Sequence, residues 1–170
     1  MTGLSDPDLA ELGWTPFFGG QLAAGQDREG QPVRVMSVHR GRVTVQGEDF
    51  AGSIPSTVPG GGSAEDRPTV GDWLLMDRDT STVVRILDRT SLFKRPAPGD
   101  DRRIQLIAAN VDTLFIVTSC DQDFNIARIE RYLVLTREAG VRPVLVLTKA
   151  DLSPDPESLV DAARALQLGL

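Results

Sequence analysis

The residues best suited to chemistry in this sequence stand at the end of an apolar run. Thr148, Lys149, Ala150 and Asp151 directly follow residues 143–147, which are rich in Val and Leu. Such a run predicts a buried strand, and α/β proteins place ligand-binding residues at the carboxyl ends of these strands. A fixed carboxylate can accept hydrogen bonds from the ring N1–H and the exocyclic amine of guanine, whereas adenine has an acceptor at N1. A Lys stem can lie along the base, so this segment predicts a guanine site.

The same sequence contains no loop that could hold the phosphates of a nucleotide. Such a loop follows the pattern G-x-x-x-x-G-K-[ST], in which backbone N–H groups and a Lys bind the phosphates. The sequence has two lysines, Lys94 and Lys149, and neither lies in this pattern. Residues 60–62 are all Gly but have no Lys beside them, so they predict a flexible turn. We therefore expect the chain to recognise a base edge as part of a larger enzyme.

The composition is that of a globular protein without disulfides or membrane-spanning segments. The chain has 170 residues, of which 41% are hydrophobic and 25% charged, as in globular proteins with one domain or two small ones. Its net charge of −6 argues against non-specific nucleic-acid binding by the whole molecule but allows a local basic face. The single cysteine, Cys120, excludes an intrachain disulfide and a thiolate metal cluster. No signal peptide or membrane-spanning run is evident, so we expect a cytoplasmic protein that does not bind membranes.

The pattern over residues 32–97 predicts an all-β domain, preceded by an N-terminal arm over residues 1–31. Valines fall in two runs separated by residues 39–42, which carry a hairpin signal with Gly at the tight position. About five short strands within about 65 residues are typical of a small Greek-key barrel such as the OB-fold, which binds oligonucleotides. A small SH3-like barrel is the competing topology. Residues 98–103, rich in Pro, Gly and Asp, are predicted to form a linker.

Residues 104–170 have a different pattern, in which strands alternate with helices. Residues 111–119 and 143–147 predict apolar strands, and each is followed by a helix whose first residue is preceded by a capping side chain, Asn125 or Asp155. This order indicates a parallel sheet covered by helices. Because two strands do not make a stable sheet of this kind, the segment is expected to be the first part of a larger domain.

Basic residues near an aromatic side chain mark candidate RNA-binding segments in the all-β domain. An exposed Arg beside an aromatic ring suits phosphate contact together with base stacking. The competing interpretation is that these are ordinary outward-facing residues of a barrel. The candidates lie around the first hairpin and near the last strand, and they are Arg34, His39, Arg40, Arg42, Arg85, Arg89, Phe93, Lys94 and Arg95.

Several segments, taken in order and spacing, carry a resemblance to a known family over nearly the whole chain. They are Leu12-Gly13-Trp14 with Pro16-Phe17-Phe18, Val38-His39-Arg40-Gly41-Arg42, residues 67–73 (RPTVGDW), residues 107–112 (IAANVD), Asn125 through Arg131-Tyr132-Leu133, and the Thr-Lys-Ala-Asp box at residues 148–151. On these segments the chain resembles the ribosome small subunit-dependent GTPase A (RsgA) family, whose members are circularly permuted GTPases.

The resemblance implies a fold of the β plus α/β class, with an N-terminal OB-fold barrel and a partial P-loop-type, circularly permuted GTPase domain. In this family the guanine box precedes the phosphate loop, and a zinc module follows. The phosphate loop, the Mg²⁺ site and the Zn²⁺ ligands are therefore expected beyond Leu170. Thr148, where the family more often has Asn, would contact guanine together with Lys149, Ala150 and Asp151. No catalytic residue or metal ligand is expected within this chain.

The activity implied by the resemblance is GTP hydrolysis during late maturation of the small ribosomal subunit. The partners would be that subunit, its rRNA and GTP, and the protein is expected to be a monomer. The 170-residue chain alone should be inactive. The alternative is a stand-alone OB-fold RNA-binding module with a non-catalytic α/β tail. A reading frame that continues into G-x-x-x-x-G-K-[ST] favours the GTPase, and a genuine stop favours the module.

Overall fold

The computed structural model describes residues 8–23, 30–97 and 99–168. The chain folds as two compact units, Met1–Asn110 and Val111–Leu170. In order along the chain, the described elements of the first unit are α1 (Pro16–Ala23), β1 (Gly30–His39), β2 (Arg42–Gln46), β3 (Ala51–Pro55), β4 (Trp73–Asp77), β5 (Val83–Ile86), β6 (Leu92–Ala97) and β7 (Asp100–Ala109).

A five-stranded antiparallel sheet forms the centre of the first unit, in the order β3-β2-β1-β4-β5. Val33 and Val35 of β1 and the valines of β2 alternate along their strands, so all of them point to one face and are buried there. The β1–β2 hairpin predicted from the sequence is confirmed, with His39 opposite Arg42 and Gly41 at a φ of +74°.

The described strands do not close into a barrel. The two ends of the sheet, β3 and β5, are not paired with each other in the described part of the chain, and β6 and β7 form a separate two-stranded antiparallel sheet. The structure therefore supports a small all-β domain, as the sequence predicted, but shows it as an open sheet with an added hairpin.

The predicted linker over residues 98–103 is corrected by the structure. β7 begins at Asp100, and Asp100 pairs with Ala97, so residues 99–103 lie in the β6–β7 hairpin, while Pro98 lies outside the described residues. Gly99 has a φ of +76°, a conformation that Gly adopts without steric cost. Gly99 therefore marks a turn, and the two compact units instead divide after Asn110.

Aromatic side chains attach the N-terminal arm to the sheet, as their sizes predict. Phe18 is buried and packs in one cluster with Trp73, Leu75 and Leu87. The ring centroids of Trp14 and Trp73 lie 4.7 Å apart in an edge-to-face arrangement. Large aromatic rings bury much apolar area, so this cluster fixes α1 on the sheet.

The second unit consists of β8 (Thr113–Ser119), α2 (Ile126–Glu138), β9 (Arg142–Thr148), a 3₁₀ turn (Ala150–Leu152) and α3 (Pro156–Leu168). The strands β8 and β9 are parallel, and α2 connects them. The predicted N-cap is confirmed, because the Asn125 side chain accepts a hydrogen bond from the backbone N–H of Arg128. Ile116, Ile129 and Leu133 form the core between strand and helix. No described helix has the length and apolarity needed to cross a membrane.

Candidate functional site

The Thr-Lys-Ala-Asp segment lies at the carboxyl edge of the parallel sheet. β9 ends at Thr148, which pairs in register with Ser119 at the end of β8. Parallel pairing therefore brings the residues after both strands to the same edge, where α/β proteins bind ligands. Lys149 leaves the strand with a φ of +55°, in the left-handed region that side-chain-bearing residues rarely adopt. This reversal starts the 3₁₀ turn that carries Asp151.

The Asp151 carboxylate is exposed at this edge. Among the residues that the structure describes, no hydrogen bond or ion pair involves its side chain, so both oxygens can accept donors from outside. The turn that carries it is held by its backbone, since Leu152 donates to the Lys149 carbonyl at 3.1 Å. An unpaired carboxylate on an ordered turn suits a ligand that presents two adjacent N–H donors.

Lys149 is held by a carboxylate from the loop after β8. Its Nζ lies 3.0 Å from Asp121 Oδ2. Asp121 Oδ1 accepts from the Ser119 hydroxyl at 2.7 Å and from the Asp123 backbone N–H at 2.9 Å. These hydrogen bonds, with that from Ser119 the strongest, lower the pKa of Asp121, while Asp121 raises the pKa of Lys149.

Both members of the Asp121–Lys149 pair are therefore charged near neutral pH. Because the folded pKa of Asp121 is below its ordinary value, its contribution to stability is lost as the pH falls through that lowered pKa. Because the folded pKa of Lys149 is above its ordinary value, its contribution is lost as the pH rises through that raised pKa. The pair is intact throughout the range between them.

Thr148 and Ala150 contribute differently to the segment. The Thr148 hydroxyl donates to the Thr118 carbonyl at 3.3 Å, and the Thr148 carbonyl accepts from the Cys120 N–H at 2.8 Å. These bonds tie the end of β9 to the end of β8. Ala150 is exposed and offers only backbone groups, of which its carbonyl accepts from Ser153 at 3.2 Å.

Of the RNA-binding candidates, those at the tip of the β1–β2 hairpin are exposed. Arg40 lies in the turn, and its guanidinium has no partner within the described residues. His39 Nε2 is 3.1 Å from the Ser37 hydroxyl. Arg42 Nε donates to the Ser53 hydroxyl at 2.9 Å. This hairpin tip therefore presents a group of basic side chains to solvent.

Other candidates bind groups inside the first unit. Arg34 donates to the carbonyls of Leu12 and Asn110, and its guanidinium carbon lies 5.8 Å from the centre of the Trp73 ring. Arg85 donates to the Gln21 carbonyl at 3.1 Å. These half-buried guanidinium groups connect the sheet to the N-terminal arm and to Asn110.

Arg89 and Phe93 are placed differently from the sequence-based interpretation. Arg89 forms a paired contact with Asp72, at 2.7 Å from Nε to Oδ1 and 2.8 Å from Nη2 to Oδ2. Asp72 is fully buried, so this Arg neutralises a carboxylate of the interior. Phe93 is only 9% exposed, so little of its ring is available for base stacking. The Phe93 side chain lies on the inward face of β6, and the sequence did not predict which face of the strand it would occupy.

The last two candidates lie on the β6–β7 hairpin. Lys94 Nζ contacts Glu65 Oε1 at 2.5 Å, and Arg95 donates to Gln105 Oε1 at 3.2 Å. Both side chains are exposed. The structure thus assigns the nine candidates to separate places: the β1–β2 tip, the β6–β7 hairpin and the interior of the first unit.

Comparisons with known proteins agree on one family. The chain matches a family model described as RsgA GTPase over residues 86–169. A Mesorhizobium japonicum protein named small ribosomal subunit biogenesis GTPase RsgA is 47% identical over 163 residues, which cover 96% of this chain and 46% of the relative. A Vibrio parahaemolyticus protein named small ribosomal subunit biogenesis GTPase RsgA 2 is 45% identical over 98% of this chain and 44% of the relative. The chain belongs to the RsgA family. It spans about half the length of these curated relatives.

Two solved structures match this RsgA-family chain in fold. The crystal structure of YloQ, described as a circularly permuted GTPase, matches 82% of the chain and 47% of YloQ with a TM-score of 0.54 and 25% identity. The crystal structure of YjeQ from Thermotoga maritima matches 82% of the chain and 48% of YjeQ with a TM-score of 0.55 and 23% identity. The chain therefore has a mixed sheet-and-helix fold similar to that of circularly permuted GTPases.

Sequence reasoning missed one residue of the site in this RsgA-family chain, Asp121. The available signal was its position two residues after β8, the strand that runs parallel to β9. Residues that follow neighbouring parallel strands share one sheet edge, so an acid there can reach Lys149.

The described residues of this RsgA-family chain include no group of three or more His, Cys, Asp or Glu side chains close enough to hold a metal ion. Cys120 is a free, buried thiol.

Proposed function

We propose that this chain is the guanine-recognising and subunit-binding part of a cytoplasmic GTPase of small ribosomal subunit biogenesis. The observation that carries the proposal is the Asp151 carboxylate, which has no partner among the described residues and lies at the carboxyl edge of a parallel sheet beside an ordered Lys149. Relatives that are 45–47% identical and are named small ribosomal subunit biogenesis GTPases support the same activity.

In this proposal, base recognition falls to the segment at the end of β9. The Asp151 carboxylate accepts hydrogen bonds from N1–H and the exocyclic amine of guanine, and the stem of Lys149 covers one face of the base. Adenine would leave the carboxylate facing an acceptor, which is unfavourable for a desolvated charge. Residues outside the 170 would bind the phosphates and Mg²⁺, perform hydrolysis and form the zinc module.

The first unit would bind the small subunit through rRNA. The strand order β3-β2-β1-β4-β5 supports an OB-fold, since pairing of β3 with β5 would close the sheet into such a barrel. The exposed basic tip of the β1–β2 hairpin, formed by His39, Arg40 and Arg42, supports phosphate contact there. The net charge of −6 means that this contact would be local.

GTP turnover tests the activity. The protein expressed from the complete reading frame should hydrolyse GTP, and purified small ribosomal subunits should stimulate that hydrolysis. The 170-residue chain should not hydrolyse GTP or bind it tightly, because contacts to the phosphates provide most of the binding in such sites. Release of phosphate and calorimetric titration are the measurements. A complete protein without GTPase activity would refute the proposal. Micromolar GTP binding by the 170-residue chain would refute the assignment of phosphate binding to residues outside it.

Replacing Arg40 with Ala should weaken binding to small ribosomal subunits and reduce the slope of log affinity against log salt concentration by about 1. The matched control is Arg78→Ala. Arg78 is also exposed but follows Asp77, which pairs with Gly30 at the opposite end of β1. Affinities from sedimentation at several salt concentrations provide the comparison. Equal effects of the two substitutions would exclude the hairpin tip as the specific contact.

A further inference from the structure

The loop between β8 and α2 supplies a carboxylate to the segment that is proposed to bind guanine. Asp121 accepts hydrogen bonds from Ser119, from the Asp123 backbone and from the Lys149 ammonium. Its side chain is 29% exposed and that of Lys149 is 53% exposed, so the contact lies at the surface of the sheet edge. Three donors leave this carboxylate little freedom to rotate.

The backbone of the same loop is joined to the end of β9. The Cys120 N–H donates to the Thr148 carbonyl at 2.8 Å, and the Thr148 hydroxyl donates to the Thr118 carbonyl at 3.3 Å. Lys149 then turns into the left-handed conformation at a φ of +55°. The carboxylate of Asp121 and the backbone of Lys149 are therefore fixed relative to each other.

We propose that Asp121 is a positioning residue for guanine recognition, an inference that rests on the proposed function. The carboxylate holds the ammonium group at the tip of Lys149, so the flexible four-carbon stem is set in one orientation before the nucleotide arrives. The ordered stem then serves as the wall against which the base lies. Without Asp121 the stem would sample several rotamers, and part of the binding free energy would be spent on ordering it.

The test is Asp121→Asn in the protein expressed from the complete reading frame. GDP binding should weaken by about fivefold, while the preference for guanine over xanthine nucleotides stays unchanged. In a Lys149→Ala background the same substitution should have no further effect, because the side chain that Asp121 positions is gone. Calorimetric titration with GDP and xanthosine diphosphate measures the GDP affinity and the preference between the two bases. An unchanged GDP affinity, or additive effects of the two substitutions, would overturn the inference.

Asp123→Asn is the matched control. Asp123 lies in the same loop and carries the same charge, but no described hydrogen bond involves its side chain, since its backbone makes the contact with Asp121. GDP affinity should stay within about twofold of the parent. If Asp121→Asn and Asp123→Asn weaken binding equally, the effect is one of net charge and positioning by Asp121 is refuted.

The contact itself can be observed without nucleotide. The 170-residue chain has only two lysines, Lys94 and Lys149, so their Cε signals can be assigned in a carbon-labelled sample. Asp121→Asn should move the titration of Lys149 toward lower pH and leave that of Lys94 in place. An unmoved Lys149 titration would overturn the inference, and thermal unfolding of each variant checks that the fold is retained.

Failure of the inference differs from failure of the proposed function. If the parent protein binds no guanine nucleotide, both are overturned. If the parent binds GDP and Asp151→Asn alters base preference while Asp121→Asn changes nothing, only the positioning role is overturned.

Discussion

Replacing Asp151 with Asn should weaken binding of GDP to the protein expressed from the complete reading frame by about 100-fold, because hydrogen bonds to a charged group are strong and two are affected. The amide of Asn can accept from N1–H, but its N–H₂ group then faces the exocyclic amine of guanine. Xanthine has a carbonyl at that position, which can accept from the new amide. Binding of xanthosine diphosphate should therefore become tighter.

Competition binding with GDP and xanthosine diphosphate measures this exchange of preference. The matched control is Asp155→Asn, in the next turn of the chain. Asp155 Oδ1 accepts from the Ser158 N–H at 3.1 Å at the start of α3, and Asn caps helices as well as Asp does. The control should therefore keep the parent's preference. If the Asp151→Asn protein still prefers guanine as the parent does, the Asp151 carboxylate does not contact the base.

Replacing Arg89 with Ala should lower the free energy of unfolding of the first unit by about 3–5 kcal/mol, because it leaves a buried carboxylate without its counterion. Asp72 is fully buried, and in the variant the hydrogen bond that its side chain keeps within the described residues is that from the Thr69 N–H at 2.7 Å. Arg89 also donates to the carbonyls of Glu65 and Arg67, at 2.8 Å and 3.0 Å. The substitution therefore leaves the Asp72 carboxylate and two backbone carbonyls without the guanidinium that they all bind.

Denaturant unfolding of the 170-residue chain, followed by tryptophan fluorescence, measures this loss. Its two tryptophans, Trp14 and Trp73, pack together in the first unit and report on that unit alone. Arg95→Ala is the control, because Arg95 is exposed and, within the described residues, bonds only Gln105 on the neighbouring strand; it should cost no more than about 0.5 kcal/mol. Adding Asp72→Asn to Arg89→Ala should recover part of the loss, since it removes the unpaired charge. Equal costs for the Arg89 and Arg95 variants would contradict a structural role for Arg89.

This result bears on how RNA-binding experiments are interpreted. Weaker subunit binding by an Arg89 variant would follow from an unfolded first unit. Arg40 has no partner among the described residues, so its substitution removes a charge without removing a structural contact. The two arginines therefore separate binding from folding.

Local patterns in the sequence determined most of the secondary structure and the position of the proposed site. Alternating valines predicted β1 and β2, and the Asn125 cap predicted the start of α2, because each signal lies within a few neighbouring residues. The order of strand, helix and strand predicted the parallel pair β8 and β9. That pairing places the segment 148–151 at a sheet edge.

The tertiary structure alone decided which charged side chains serve the fold and which remain available. Arg89 and Arg40 are the same residue type and both were candidates for RNA contact, but of these two only Arg89 meets a buried carboxylate among the described residues, and that carboxylate lies 17 residues away in the chain. Asp121 reaches Lys149 across 28 residues, and no periodicity within either segment encodes that contact. Burial and pairing depend on residues that approach only when the strands assemble, so composition and spacing could not distinguish an interior arginine from an exposed one.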